Sequence, residues 1–169
     1  LVDITNFLMH EWGQPLHVYD FNSIQGAELK VRMAQNNEAF IALDGNTYSL
    51  NTNHLVIADA QNVLALGGII GGKLSAVTEK TTAVVLECAV FHPQVIRKAS
   101  KQLSLYTEAS YRFERGVNPH LSMQVMQQAL QMIIELTGAR LSQDIQSNII
   151  KTTPPSHPVA FSYQRCFEL

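Results

Sequence analysis

The segment Thr82–Phe91, T-A-V-V-L-E-C-A-V-F, is apolar almost from end to end and carries a single carboxylate, Glu87. Its pattern predicts a long strand. On a strand, Val85, Glu87 and Ala89 share one face, and Leu86, Cys88 and Val90 share the other. A carboxylate there must be paired, protonated or set at the edge of a wet cavity, because lone burial is costly. Two readings stay open: a structural ion pair with an arginine such as Arg112 or Arg115, or an acceptor that faces a donor on a ligand. Whatever fold forms has to meet this demand.

The rest of the chain supplies strands first and helices afterwards. Ile4, Phe7, Leu8 and Trp12 have helical spacing within Asp3–Trp12, and Gly13-Gln14-Pro15 stops that helix. Short strands are expected at Leu16–Tyr19, Glu28–Ala34, Ala39–Leu43, His54–Ala58 and Val63–Leu66, with Asp44-Gly45 marking a hairpin turn. Pro93 opens a helix that runs to about Leu103. Asn118-Pro119 is an N-cap followed by proline, and the helix after it puts Leu121, Val125, Ala129 and Leu136 near one stripe and ends at Gly138. This order predicts an α+β fold, a mixed or antiparallel sheet flanked by helices, in place of regular βαβ alternation. Thr152-Thr153-Pro154-Pro155 is the linker signal. It divides the chain into one domain at 1–151, a linker at 152–158 and the beginning of another domain at 159–169.

At 169 residues the chain can form one packed domain plus a fragment of a second. No apolar run approaches the roughly 18 residues that a membrane helix needs. Cys88 and Cys166 lie far apart without metal-ligand spacing, which fits a reduced, cytoplasmic protein better than a disulfide scaffold. The formal net charge of −2 lacks the basic footprint of a protein that tracks a nucleic-acid backbone unaided. If RNA is the partner, most phosphate contacts come from elsewhere. The chain starts at Leu1 inside a helical pattern and stops at Leu169 within an amphipathic phrase, so a fragment of a longer protein is expected.

Several constellations could carry chemistry. Gly67-Gly68-Ile69-Ile70-Gly71-Gly72-Lys73 approaches the phosphate-binding pattern, but Leu74 stands where a magnesium-ligating hydroxyl belongs, so nucleotide binding is rejected. The paired glycines suit either a tight turn or bulge in a sheet, or the wall of a ligand site. His17, with Asp20 three residues on, is either a packed, hydrogen-bonded histidine or a catalytic one. The other histidines, His10, His54, His92, His120 and His157, show no spacing that makes a metal site. Cys88, on the face opposite Glu87, reads as an inert core thiol. No G-x-S-x-G elbow supports acyl-enzyme chemistry. The run Thr107–Gly116, T-E-A-S-Y-R-F-E-R-G, sets Glu108 and Arg112 four apart in the favourable order for a helical ion pair. Tyr111 and Phe113 between its charges imply partial burial of those charges.

Taken together, G-Q-P-L-H-x-x-D (13–20), L-D-G (43–45), V-I-A-D (56–59), A-L-G-G-I-I-G-G (65–72), L-E-C-A-x-F (86–91) and T-E-A-S-x-R-F-E-R-G-V-N-P (107–119) resemble one family. It is the central editing domain of the bacterial phenylalanyl-tRNA synthetase beta subunit, matched in order and spacing from about Val2 to Arg140. The resemblance implies a domain that begins upstream of Leu1 and hydrolyses tyrosine mischarged onto phenylalanine tRNA. It implies that Glu87 recognises the tyrosine hydroxyl and that His17 positions the substrate or the attacking water. Gly71, Thr107 and Ala109 would line the amino-acid pocket. It further implies no cofactor in this segment, ATP and Mg2+ bound by the parent ligase outside these residues, and two partners, the tRNA 3′ end and the synthetase alpha subunit in a heterotetramer of two alpha and two beta chains. Departures are slight: Val18-Tyr19 stands where the family often has Ala-Phe, and Asn118 where it often has Asp. The alternative is a non-catalytic tRNA- or protein-binding module of related fold, with Glu87 bridging to an arginine.

Overall fold

The structure, a computed structural model, describes residues 1–142, 145–147 and 160–167. Helix α1 (Val2–Trp12) ends where Gly13, at φ 70°, turns left-handed and its N–H bonds the Met9 carbonyl. Strands follow in the order β1 (His17–Asp20), β2 (Lys30–Met33), β3 (Glu38–Ile41), β4 (Thr47–Leu50), β5 (Leu55–Ala58), β6 (Val63–Leu66), β7 (Ile70–Gly71) and β8 (Val84–Glu87). Helices α2 (Pro93–Leu103), α3 (Glu108–Phe113), α4 (Ser122–Thr137) and α5 (Tyr163–Phe167) complete the described elements. Every strand pairing among them is antiparallel, so the expected α+β class holds with an antiparallel sheet.

The strands form a four-stranded sheet of order β2-β5-β6-β7, the β3–β4 hairpin and the β1–β8 ribbon. The hairpin turns at Asp44-Gly45, as its sequence predicts. Gly45 takes φ 86°, while Asp44 accepts from the Asn46 N–H at 2.9 Å and the Tyr48 hydroxyl at 2.6 Å. Leu43 then donates to the Gly71 carbonyl at 2.9 Å, which fastens the hairpin to β7.

Two apolar clusters lie on opposite sides of the β1–β8 ribbon. The larger gathers Tyr19, Phe40, Leu50, Val56, Leu64, Leu66, Phe91, Ile96 and Phe113, with Val85, Ala89 and Ala109 packed against it. The smaller joins α1 to α4 through Ile4, Leu8, Val125, Ala129 and Ile133, with Leu86 and Cys88 against it. The period-2 alternation of a strand therefore separates two environments within β8.

Four expectations need correction or fall outside these residues. The strand expected over Thr82–Phe91 is four residues long, because its partner β1 is only four residues long and the buried Gln14 side chain, not a strand, bonds the Ala89 carbonyl at 2.9 Å. Asn118 caps a turn instead of a helix: its side chain accepts from the His120 N–H at 3.0 Å, and α4 starts later, at Ser122. The buried stripe of α4 is Val125, Ala129 and Ile133, with Leu136 exposed, since spacing by four tracks the face that meets α1. The linker expected at 152–158 and residues 159, 168 and 169 of the following segment lie outside the described residues.

Candidate functional site

The β1–β8 ladder sets His17 directly opposite Glu87 and Tyr19 opposite Val85. Directly opposed residues of an antiparallel pair project to the same side, and so do residues two apart. His17, Tyr19, Val85 and Glu87 thus share the face that turns toward the larger cluster. Asp20 holds the end of β1: its carboxylate accepts from the Thr81 hydroxyl at 2.7 Å and the Asn22 N–H at 2.9 Å. Buried Gln14 ties the entrance of β1 to the exit of β8.

Glu87 is partly buried, and its partner is neither arginine. The Tyr19 hydroxyl donates to Glu87 Oε2 at 2.6 Å. Arg112 bonds Glu108 at 2.7 Å and reaches His10 Nδ1 at 3.2 Å, while Arg115 bonds Glu114 at 2.6 Å and stacks over Tyr111. The ion-pair reading of Glu87 is therefore overturned, because both arginines are engaged with other partners. Burial raises the Glu87 pKa, and the Tyr19 hydrogen bond partly offsets it by favouring the carboxylate. Tyr19 is wholly buried, and burial, followed by the Glu87 charge, pushes its phenol far above the ordinary range. It stays a neutral donor.

His17 stands edge-on to Tyr19, with ring centroids 4.5 Å apart. Burial lowers its pKa to about 4, so the imidazole is neutral at neutral pH. Its far edge lies against Gly71: a Cβ on Gly71 would collide with His17 Cε1, and would stand 2.8 Å from Nε2 and 2.9 Å from Leu43 Cδ1. Glycine at 71 is what lets the β7 backbone approach the imidazole so closely. The first glycine pair does something else. Gly68, at φ 69°, turns the chain between β6 and β7 beneath Phe91, Ile96 and Phe113. The turn foreseen for the glycines is realised at Gly68, and Gly71 serves the close approach of β7 to the His17 side chain.

Helix α3 is docked onto that turn. The Thr107 hydroxyl donates to the Ile69 carbonyl at 2.7 Å and accepts from the Ser110 N–H at 3.0 Å, completing a capping box. Ala109, half-buried, packs against the larger cluster. The fold therefore brings His17, Glu87 and Gly71 into one group and ties Thr107 to it through Ile69. Ala109 follows at the start of α3. Of the charges in the Thr107–Gly116 run, Arg112 and Glu114 are partly buried as expected, their side chains 19% and 21% exposed, whereas Glu108 and Arg115 are 67% and 53% exposed.

Tyr19 is the residue that sequence reasoning missed. Its position two residues after His17 puts it on the same strand face, the one signal available in advance. Cys88 matches its reading: half-buried, its thiol donates to the Ser122 carbonyl at 3.2 Å, and burial with the Glu87 charge pushes its pKa up to about 12. Among the described residues no group of three or more His, Cys, Asp or Glu side chains is arranged to hold a metal, and no helix is long and apolar enough to cross a membrane.

The architecture is that of an antiparallel α+β domain, and comparison with known proteins places it in a family. The family of the B3/4 domain matches residues 1–138, and the chain belongs to that family. The chain is similar to phenylalanine–tRNA ligase beta subunits. That of Protochlamydia amoebophila is 44% identical over 145 residues, covering 86% of this chain and 18% of the relative. That of Haemophilus ducreyi is 46% identical over 143 residues, covering 85% and 18%. That of a Wolbachia from Brugia malayi is 42% identical over 164 residues, covering 97% and 20%. The chain thus spans 18–20% of the length of these relatives.

Proposed function

We propose that this chain is the editing domain of a phenylalanine–tRNA ligase beta subunit and hydrolyses tyrosine mischarged on phenylalanine tRNA. The observation that carries the reading is Glu87, a desolvated carboxylate opposite His17 across the β1–β8 ladder and beside the Cβ-free wall at Gly71. Tyrosine is phenylalanine with one added hydroxyl, and an apolar pocket rejects such an isostere by only about 10²-fold. A second site that accepts a hydrogen bond from the hydroxyl discriminates further, because phenylalanine would leave the acceptor unpaired. Glu87 is that acceptor.

Water attacks the carbonyl carbon of the aminoacyl ester, the C–O bond to the terminal ribose breaks, and the ribose oxygen leaves with a proton while tyrosine takes the water oxygen. A base with a pKa of about 4 is weak at neutral pH. His17 therefore acts as a neutral hydrogen-bonding group that orients the ester or the water. Gly71, Thr107 and Ala109 line the space for the ring and the terminal adenosine. Cys88 faces the α1–α4 cluster with its thiol protonated, so no acyl-enzyme is formed on it. Residues 1–151 make up this domain, 152–158 a linker, and 159–169 the start of the next domain. In the complete ligase the alpha subunit pairs with the beta chain, and ATP and magnesium serve aminoacylation outside these residues.

Glu87→Ala in the complete ligase tests the reading. Deacylation of tyrosyl-tRNA should fall by on the order of 10²-fold or more, with the melting temperature retained. Unchanged tyrosine clearance would overturn it.

A further inference from the structure

Tyr19 does more for the site than fill space. It is completely buried within the larger cluster, so its ring has no alternative orientation in the packed state. From there its hydroxyl reaches diagonally across the ladder to one oxygen of Glu87, Oε2, at 2.6 Å, while its ring stands nearly perpendicular to the His17 imidazole with centroids 4.5 Å apart. One residue thus braces both groups to which the proposed editing reaction assigns a role.

A carboxylate has two oxygens, each able to accept from water, a phenol or a guanidinium fork. With Oε2 held by a resident phenol, rotation is blocked and Oε1 is presented in one direction. Among the described residues no donor occupies Oε1. We infer that Tyr19 is a specificity-determining positioning residue: its hydroxyl clamps Oε2 of Glu87 and leaves Oε1 as the acceptor for the phenol of a tyrosyl ester. This inference rests on the editing reading of the site. The carboxylate then sits between two phenols, one belonging to the protein and one to the substrate, and His17 is held against Gly71 by the same ring.

Tyr19→Phe removes the hydroxyl alone and keeps the ring that packs on His17. In the complete ligase, KM for tyrosyl-tRNA deacylation should rise about tenfold, while kcat changes by less than about twofold. A purely structural tyrosine would lower the melting temperature and leave KM where it was, and that result would overturn the inference. A fall in KM would overturn it as well, because the hydroxyl would then be a competitor of the substrate. Glu87→Ala measured beside it separates the two levels. If Glu87→Ala abolishes deacylation and Tyr19→Phe matches the parent enzyme, the clamp is wrong and the editing site stands. If Glu87→Ala deacylates normally, the site reading fails and the clamp fails with it.

Discussion

Glu87 and Cys88 are neighbours in the chain, both are partly buried, and burial raises the pKa of each. They nevertheless have opposite meanings. Glu87 projects toward the larger cluster, where a phenol donates to it, a neutral imidazole lies across the ladder and a glycine lets the β7 backbone pack close against that imidazole. Cys88 projects toward the α1–α4 cluster, where it gives its hydrogen to the Ser122 carbonyl and meets aliphatic side chains. A perturbed pKa thus locates burial, and only the surrounding groups distinguish the face proposed for recognition from a packing face.

A single methyl group would break the recognition face. Gly71→Ala places a Cβ where the His17 edge and Leu43 already stand. The imidazole has to move, which should lower tyrosyl-tRNA deacylation by on the order of 10²-fold at a stability cost of about 1–3 kcal/mol. Deacylation assays paired with thermal melts check this, and a variant that edits normally would remove Gly71 from the wall.

His17 offers a smaller effect that is read through pH. Its folded pKa of about 4 lies below the unfolded value of 6.5, so the unfolded chain takes up a proton that the folded chain refuses. Stability is full above about pH 6.5 and declines as pH falls toward 4, by up to about 3 kcal/mol. Glu87 runs the other way: its raised pKa means that ionisation costs stability as pH rises through it. Urea midpoints at pH 5 and pH 7 should differ less in His17→Gln than in the parent chain. Equal pH dependence would mean that the His17 imidazole is not the titrating group.

The smallest effect belongs to the packing face. Cys88→Ala removes a half-buried sulfur and its bond to Ser122, for about 1 kcal/mol of stability, and should leave deacylation unchanged. Lost editing in this variant would erase the distinction between the two faces.

Much of this arrangement was legible in advance wherever local chemistry decides it. The bounds of α2 follow from Pro93, the hairpin from Asp44-Gly45, and the end of α4 from Gly138. Glu87 announced itself because a charge within an apolar strand demands a partner. The partner did not, since Tyr19 is 68 residues away and only the ladder register brings the two together. β8 was overestimated because a strand extends only as far as its neighbour, and nothing local in Thr82–Phe91 encodes the length of β1. Asn118 misled for a related reason: its side chain was available to a preceding turn as well as to the helix.

In the proposed reaction Glu87 chooses the amino acid by its hydroxyl. The ratio of tyrosyl-tRNA to phenylalanyl-tRNA deacylation rates, compared between the complete parent protein and its Glu87→Ala variant, tests it. A strong preference for tyrosine in the parent should collapse toward about one in the variant, as loss of the desolvated acceptor requires. A preference for tyrosine that survives without Glu87 would contradict it.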